Sequence, residues 1–426
     1  MIPALIIFAV TYVFMLTFGK YRPFIALASG LVFIVTGMLS LGNVIGAIDF
    51  NVLLMIAGSM GLVQLFIDSK MPDLLAEILI SKVKNVKMAA VALALFAGII
   101  SAFVDNVATV LMIAPVALQI CKKLNTNPVP FIIGIAVSSN LQGAATLVGD
   151  TTAIMLGGQA GMSFLDFFWY EGKPSIFFAV ELGAVVSAFI LAYIFRKEKQ
   201  PIPKQEGRTK VEDYVPTYLL LIMLALLVTA SFIDFPAELP INGLICCALL
   251  VVGLVYNACK YKTKESIVSP LKAIDFQTLG LLLGLFLMIG GIAEQGVIAK
   301  AAELLQKLGG GNEFVLFTVI VWFSVIISAF IDNIPYVATM LPIIATIGAA
   351  NPEISTTLLY FGLLSGATLG GNITPIGASA NITGTAILRR EGYEVKNKDF
   401  FRIGIPFTLA AVISSYIYLW VVYGIL

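Results

Sequence analysis

Long apolar blocks alternate with short polar segments along the whole chain. Each block approaches the roughly 20 residues that a helix needs to cross the ~30 Å hydrocarbon core of a bilayer. The uninterrupted blocks are residues 2–18, 23–42, 50–67, 130–142, 174–195, 215–234, 240–258, 275–292, 354–369 and 403–425. This pattern predicts an all-α polytopic membrane protein with ten transmembrane helices.

Two further apolar stretches, 88–120 and 314–345, fit neither one crossing nor two. A single helix over 88–120 would be about 50 Å long, whereas two crossings would each be too short. Lysines flank this first stretch on both sides, at positions 84, 87, 122 and 123. We therefore predict a re-entrant hairpin that enters and leaves on one side. The second stretch has no basic flank, which predicts a hairpin from the opposite side.

The placement of basic residues orients this topology. With ten crossings and no counted hairpins, 23 of the 26 Lys and Arg residues fall on one side, and only Lys173, Lys300 and Lys307 fall on the other. Such a bias marks the cytoplasmic side. We expect a multi-pass protein of the cell (plasma or inner) membrane, with both termini outside the cytoplasm. The polar segment 197–214 is predicted to be a cytoplasmic linker.

The two halves of the chain share short segments in the same order. At offsets of 226 to 228 residues, the matching segments are 49–50 with 275–276, 76–77 with 302–303, 101–106 with 328–333, and 146–149 with 374–377. Residues 1–196 and 215–426 are thus predicted to be two repeats. Each holds five crossings, an odd number, so the second copy must be inverted in the membrane.

Composition excludes several classes of protein. Apolar residues make up 59% of the chain and charged residues 12%, against about 25% charged residues in an ordinary soluble domain. A soluble enzyme or a nucleic-acid-binding protein is therefore not expected. The absence of histidine excludes a histidine metal site or an imidazole relay, and the four cysteines have no metal-ligand spacing. We expect no enzymatic activity and no cofactor other than a coupling Na⁺ or H⁺.

Carboxylates at the centres of both hairpins are the first candidate site. An ionisable residue inside the hydrocarbon is costly and by default indicates function. Asp105-Asn106 and Asp332-Asn333 occupy the predicted tips, where backbone carbonyls lie outside any helix. Such oxygen ligands suit Na⁺ or a proton and are poor for soft metals. These four residues are the predicted Na⁺ ligands.

Two glycine-rich breaks are the second candidate element. Residues 138–152 and 370–381 are polar and flexible within apolar surroundings. An unwound centre exposes carbonyls that coordinate cations, and the half-helix that follows favours an anion or a carboxylate at its N-terminus. The candidate ligands are Asn140, Thr146, Gly149, Asp150, Thr151, Asn372, Thr374, Gly377, Ser379 and Asn381. We expect the two tips and the two breaks to meet halfway through the bilayer.

Simpler interpretations remain for some of these residues. Asp150 precedes Thr151-Thr152 and serves equally well as a helix N-cap. Glycine-rich breaks also allow close packing of helices. Glu181 lies in the fifth crossing without a repeat partner, and a structural or a proton-linked role stays open.

The motifs themselves resemble a known group of transporters. Segments 101–116 and 328–343 resemble the paired hairpin signatures of the ion transporter superfamily, in the branch that contains the arsenite permease ArsB, the sodium/proton antiporter NhaD and the melanosomal P protein. Segments 143–154 and 370–382 resemble the two helix breaks of that branch. The resemblance implies ten crossings plus two re-entrant hairpins, a site at tips and breaks, a homodimer, and elevator-like movement of a transport domain.

The substrate prediction rests on where the motifs differ from the superfamily. Related dicarboxylate carriers have Ser-Asn-Thr at both tips, whereas this chain has Asp-Asn-Val and Asp-Asn-Ile. An aspartate repels a carboxylate unless it is protonated or paired with a cation. We therefore predict Na⁺ (or Li⁺)/H⁺ antiport. The alternatives are proton-coupled efflux of arsenite or antimonite, Na⁺-coupled uptake of a small organic anion and, from another class, a channel or a membrane scaffold.

Overall fold

The computed structural model describes residues 1–202, 209–236 and 239–426, and most of them are helical. The first half contains α1 (Ile2–Thr17), α2 (Arg22–Val35), α3 (Val44–Ala47), α4 (Phe50–Asp68), α5 (Met71–Ser81), α6 (Val86–Ser101), α7 (Asn106–Leu124), α8 (Val129–Gly143), α9 (Thr151–Ala160) and α10 (Ile176–Ile194). The second half contains α11 (Val215–Ala230), α12 (Ile241–Tyr261), α13 (Glu265–Ala273), α14 (Phe276–Glu294), α15 (Val297–Gly309), α16 (Glu313–Ser328), α17 (Asn333–Ala350), α18 (Thr356–Gly370), α19 (Ser379–Arg390) and α20 (Asn397–Leu419).

Short elements connect these helices. Single 3₁₀ turns cover Gly19–Tyr21, Leu41–Asn43, Leu165–Phe167, Phe195–Lys197 and Gly371–Ile373, and a π-helical turn covers Trp420–Ile425. Two antiparallel two-residue strands, β1 (Trp169–Tyr170) and β2 (Lys173–Pro174), lie between α9 and α10. Part of the predicted linker 197–214 lies outside the described residues, namely 203–208.

The prediction of an all-helical protein with many spans is confirmed. Among the described residues, seven helices are long and apolar enough to cross a membrane, and the number rises to nine if each of two bent helix pairs counts as one span. Three shorter apolar helices are Val86–Ser101, Val129–Gly143 and Val215–Ala230. The predicted hairpins coincide with two helix pairs, α6–α7 and α16–α17, each broken at the expected aspartate.

The predicted block 23–42 is only partly helical. Helix α2 ends at Val35 because Gly37 adopts a left-handed conformation (φ +69°) and Met38 N–H closes back on Phe33 O at 2.9 Å. At its other end α2 is bent by 117° from α1. Helices α1 and α2 are both short, about 24 Å and 21 Å long at 1.5 Å per residue.

The helices of the two halves occur in the same order, and helices of one half cross helices of the other at glycine residues. Gly58 in α4 packs directly on Cys246 in α12, and an added Cβ would overlap the backbone there. Gly284 in α14, 226 residues after Gly58, makes the same contact with Ala26 in α2. Small residues let helix backbones approach closely in lipid. Each half thus contributes one long helix to a crossing with the other half.

A second layer surrounds two central helices, α8 and α18. Helix α6 packs on α8, α16 packs on α18, and α10 packs along α20. In α18 every residue after Thr356 is buried, and in α8 every residue except Pro130 is buried. A helix that is buried on all faces lies at the centre of its bundle. The two glycine-rich breaks follow these central helices.

Candidate functional site

Each predicted hairpin tip is a helix start capped by its aspartate. Asp105 precedes α7, and its carboxylate accepts hydrogen bonds from Val107 N–H at 3.0 Å and Ala108 N–H at 3.2 Å. Asp332 precedes α17 and accepts from Ile334 N–H at 3.2 Å. An N-cap carboxylate satisfies backbone donors that a helix start leaves free. Both carboxylates are thereby fixed at the tips.

The first break brings helix carbonyls together around Gly149. A Cβ added there would lie 2.5 Å from Gly143 O, at the end of α8, and 2.7 Å from Ser101 O, at the end of α6. The Thr146 hydroxyl donates to Ala102 O in the hairpin turn. The C-terminal, electronegative ends of two helices therefore converge on one glycine.

The second break repeats this arrangement. A Cβ on Gly377 would lie 2.5 Å from Gly371 O and 2.8 Å from Ser328 O. The Thr374 hydroxyl donates to Ala329 O at 2.5 Å. Each break is thus tied to the hairpin of its own repeat by a threonine and a glycine.

A cavity of about 250 Å³ lies where the tips meet. Four carboxylates line it: Asp105, Asp150, Asp275 and Asp332. We call it the Asp275-side cavity. Among the described residues that line it there is no lysine or arginine. The described part of the chain also holds no group of three or more His, Cys, Asp or Glu residues placed to hold a metal ion.

The structure divides the fourteen predicted site residues into two sets. Seven line the Asp275-side cavity: Asp105, Asn106, Asp150, Thr151, Asp332, Asn333 and Ser379. The other seven do not line it: Asn140, Thr146, Gly149, Asn372, Thr374, Gly377 and Asn381. The predicted residues that line the cavity are thus those of the tips and of the helix starts after the breaks, while α4 and the start of α14 supply much of the remaining lining.

Asn140 and Asn372 cross-link the two central helices. Asn106 Nδ2 donates to Asn140 Oδ1 at 3.1 Å, and Asn140 Nδ2 donates to Thr368 O at 2.6 Å and to Asn372 Oδ1 at 3.1 Å. Asn372 Nδ2 donates in turn to Val137 O at 2.8 Å. All four side-chain groups are used in a fully buried network, which joins the first tip to both repeats.

Asp150 immediately precedes α9, and its carboxylate is positioned by a side chain of that helix. It makes no side-chain capping bond to α9. Its Oδ2 accepts from the Thr152 hydroxyl at 2.7 Å, and that hydroxyl lies 3.0 Å from the hydroxyl of Thr368 in the other repeat. Asp150 thus occupies the N-cap position of α9, but its carboxylate binds a hydroxyl of the first turn in place of a backbone N–H. The corresponding residue of the second repeat is Ala378, so this carboxylate has no copy there.

Asp332 has a basic partner that sequence reasoning missed. Arg22 Nη1 lies 3.0 Å from Asp332 Oδ2, and Arg22 Nε donates to Met15 O at 3.1 Å. The two residues are 310 positions apart, and Arg22 was assigned to a cytoplasmic loop. In the described part of the chain neither Asp105 nor Asp150 takes part in an ion pair.

Of three further residues, Asp275, Asn381 and Glu181, the first lines the cavity and the other two do not. Asp275 was recognised only as a repeat marker, yet it caps α14 and lines the cavity, so its recurrence was the usable signal. Asn381 donates to Gly371 O and Thr374 O, while its buried Oδ1 has no partner. Glu181 is half-buried in α10 and does not line the cavity.

A second, larger cavity of about 1020 Å³ contains Asp49, the repeat counterpart of Asp275. We call it the Asp49-side cavity. It is lined by residues from the start of α4 and the end of α9, and by Ala338 and Leu341 well inside α17. Asp105, Asp150 and Asp332 do not line it. Of the two cavities, only the Asp275-side cavity therefore reaches the central carboxylates Asp105, Asp150 and Asp332.

Two relatives with curated names resemble this chain over most of its length. A 46 kDa membrane protein of Mycobacterium leprae is 34% identical over 326 residues, which is 76% of this chain and 74% of that protein. The human P protein is 24% identical over 466 residues, which is 90% of this chain but 54% of that protein. The predicted resemblance to the P protein branch is thereby confirmed.

Solved structures show the same fold at low identity. The YdaH transporter of Alcanivorax borkumensis matches with a TM-score of 0.61 at 14% identity, covering 90% of this chain and 88% of that one. MtrF of Neisseria gonorrhoeae matches with a TM-score of 0.55 at 18% identity, covering 93% and 85%. The model of the citrate transporter family matches residues 6–351 and 263–426. The chain therefore belongs to the citrate transporter family, CitMHS, and is a membrane transporter.

Proposed function

We propose that this transporter is coupled to cations and, most concretely, exchanges Na⁺ or Li⁺ for protons. The observation that carries the proposal is the charge of the Asp275-side cavity. Four carboxylates, contributed by both repeats, line it, and no basic side chain does so among the described residues. Such a cavity attracts cations and repels free anions.

Competition for the same carboxylates supplies the coupling. A carboxylate with little water around it is costly in its charged form, so it takes up either a proton or a metal cation. Asp105 and Asp150 have neither an arginine nor a lysine partner in the described structure. Entry of Na⁺ would therefore release protons from this pair, and protonation would release Na⁺. Neutral oxygens of Asn106 and Thr151 complete the proposed coordination.

Alternating access follows from the two cavities. The central carboxylates are open to the Asp275-side cavity and closed to the Asp49-side cavity. In inverted repeats, exchanging the conformations of the two copies opens the opposite face. The distribution of basic residues supports assigning the Asp275 side to the cytoplasm. Two re-entrant hairpins, both termini outside the cytoplasm, a cell-membrane location and a homodimer are parts of this proposal.

A second candidate is carriage of a small carboxylate together with cations. The family model carries the description of a citrate transporter. Thr151 and Ser379 begin α9 and α19 and line the cavity, and helix starts favour anionic groups. Because Asp105, Asp150 and Asp332 repel a free carboxylate, this cargo would enter only with cations or protons that neutralise them.

Flux into proteoliposomes tests both candidates. With a pH-sensitive dye enclosed, we expect external Na⁺ or Li⁺, but not K⁺, to raise the internal pH as protons leave. Asp105→Asn should abolish this signal, whereas Asp399→Asn, an exposed carboxylate outside the cavity, should leave it unchanged. Citrate uptake without any Na⁺/H⁺ exchange would replace the first candidate by the second. Uptake of neither class of solute would overturn both.

A further inference from the structure

The Arg22–Asp332 ion pair joins two parts of the fold that belong to different repeats. Arg22 begins α2, which packs along α14 in the crossing described above. Asp332 begins α17, the second arm of the second hairpin. Both side chains are partly accessible, at 27% and 29%, at a distance of 3.0 Å. The pair therefore connects the crossed helices to a hairpin tip and is not confined to one repeat.

A second polar contact joins the same two parts. The Tyr12 hydroxyl, on α1, donates to Pro335 O at 2.6 Å and lies 2.5 Å from the Thr339 hydroxyl. Pro335 and Thr339 both belong to the first two turns of α17. The corresponding helices of the second repeat, α11 and α12, make no side-chain hydrogen bond or ion pair to α7 of the first repeat among the described residues. Among the described residues, only the second hairpin is therefore held by polar side-chain contacts of this kind.

We propose that Arg22 acts as a tethered cation that neutralises Asp332 in this conformation and must release it when the hairpin moves. It is a positioning residue, since it acts through Asp332 and does not line the Asp275-side cavity. Its two consequences are a bias toward the state open on the Asp275 side and a second repeat that needs no cargo cation. The consequence for cargo rests on the proposed function, whereas the bias between states does not.

Neutralisation of Asp332 by Arg22 predicts different results for the single and the double variants. Removing Arg22 alone leaves Asp332 uncompensated, so that carboxylate must take up a proton or a cation from solution. Removing both charges leaves nothing to compensate. A residue that merely ends α1 through its bond to Met15 would behave differently, because the loss of that bond would not be repaired by a change at Asp332.

Cysteine labelling measures the balance between states without any cargo. Val107 lies at the first tip and lines the Asp275-side cavity, so Val107→Cys reports which side reaches the site. The chain for this assay carries alanine in place of its four native cysteines. We expect Arg22→Gln to raise labelling by an impermeant maleimide from the Asp49 side about tenfold, a typical coupling between two states. Arg22→Gln/Asp332→Asn also lacks the pair but leaves no uncompensated charge, so it should raise labelling clearly less than Arg22→Gln does.

Arg22→Lys, which keeps the charge, should behave like the parent chain. Equal labelling in Arg22→Gln and the parent would overturn the proposal, as would equal effects of the single and double variants. In flux assays, Arg22→Gln should make transport depend on pH through one more carboxylate, and the double variant should lose that dependence. If labelling shifts while no Na⁺/H⁺ exchange is found, the proposed function fails and the tethered cation stands.

Discussion

The centres of the two repeats have the same backbone arrangement but differ in charge. In the first repeat two carboxylates, Asp105 and Asp150, face the cavity without a basic partner in the described structure. In the second repeat Asp332 is paired with Arg22, and Ala378 stands where Asp150 would be. The difference indicates that duplication preserved the frame of hairpins and breaks while the charged residues diverged. The first repeat is therefore the better place for a cargo cation.

The largest effect is expected from charge removal in the first repeat. Asp105→Asn and Asp150→Asn each remove an unpaired carboxylate, and we expect the apparent Na⁺ affinity in the flux assay to fall by about 100-fold. Asp332→Asn should change it by less than about fivefold, because Arg22 already neutralises that carboxylate. Equal losses for all three variants would contradict the comparison and would make the two repeats equivalent cation sites.

The next largest effect is expected at the glycines of the two breaks, where the repeats are alike. Gly149→Ala and Gly377→Ala each force a Cβ to within 2.5 Å of a carbonyl oxygen. Overpacking of this kind costs roughly 1–3 kcal/mol, and we expect similar losses of melting temperature for both variants. The matched control is Gly42→Ala, where an added Cβ meets nothing within 4 Å and should change stability by less than about 0.5 kcal/mol. A loss confined to one variant would mean that the breaks are not equivalent.

Much of this frame was predictable because a bilayer simplifies the physics. Apolar length predicts spans, and an intramembrane Asp-Asn pair within a stretch too long for one helix predicts a hairpin tip. Repeats at offsets of 226 to 228 residues then fix which elements correspond. These are local or periodic signals, and the helices α6–α7 and α16–α17 break where the signals place them.

Long-range pairings were not predictable from local signals. Nothing around Arg22 distinguishes it from the other loop charges that set orientation, yet it meets Asp332 across 310 residues. Asn140 and Asn372 are residue types that often bind ligands, but their amides join α8 to α18 and to the 3₁₀ turn that follows α18. Whether a buried amide binds cargo or another helix depends on which groups the fold places opposite it.

A smaller effect separates the mouths of the two cavities. Asp49 and Asp275 are repeat counterparts that both cap a long helix, but only Asp275 lines the cavity with the central carboxylates. Asp275→Asn should slow Na⁺ entry from its side about threefold to tenfold at low ionic strength through loss of electrostatic attraction. The effect should shrink in 0.5 M choline chloride, because salt at about that concentration screens electrostatic steering. Asp49→Asn makes the same change at the repeat counterpart, which does not line this cavity, and serves as the control. Asparagine caps a helix as well as aspartate does, so both variants keep the cap and differ from the parent in charge. If Asp49→Asn slows entry from the Asp275 side equally, a charge within the cavity is not responsible.

The segment that leads into the second repeat gives the smallest expected effect. Just before that repeat lies a buried carboxylate, Asp213, which is bound by Lys260 at 2.8 Å, by Val215 N–H at 3.0 Å and by the hydroxyls of Tyr256 and Tyr261 at 3.3 and 3.2 Å. Burial alone would raise the pKa of Asp213, but the hydrogen bonds outweigh it and hold that pKa below the ordinary value of 3.8.

Because the pKa of Asp213 is lowered on folding, its contribution to stability is present above the unfolded pKa and is lost as the pH falls through the folded one. Asp213→Asn should therefore lower stability by about 1 kcal/mol at pH 7. The difference in melting temperature from the parent should narrow below about pH 4, where the carboxylate of the unfolded parent is itself becoming protonated. Glu212→Gln is the adjacent control, since Glu212 forms an exposed pair with Lys70, and exposed pairs contribute little. A loss from Asp213→Asn that is the same at pH 3 and pH 7 would show that packing, and not charge, holds the second repeat at its start.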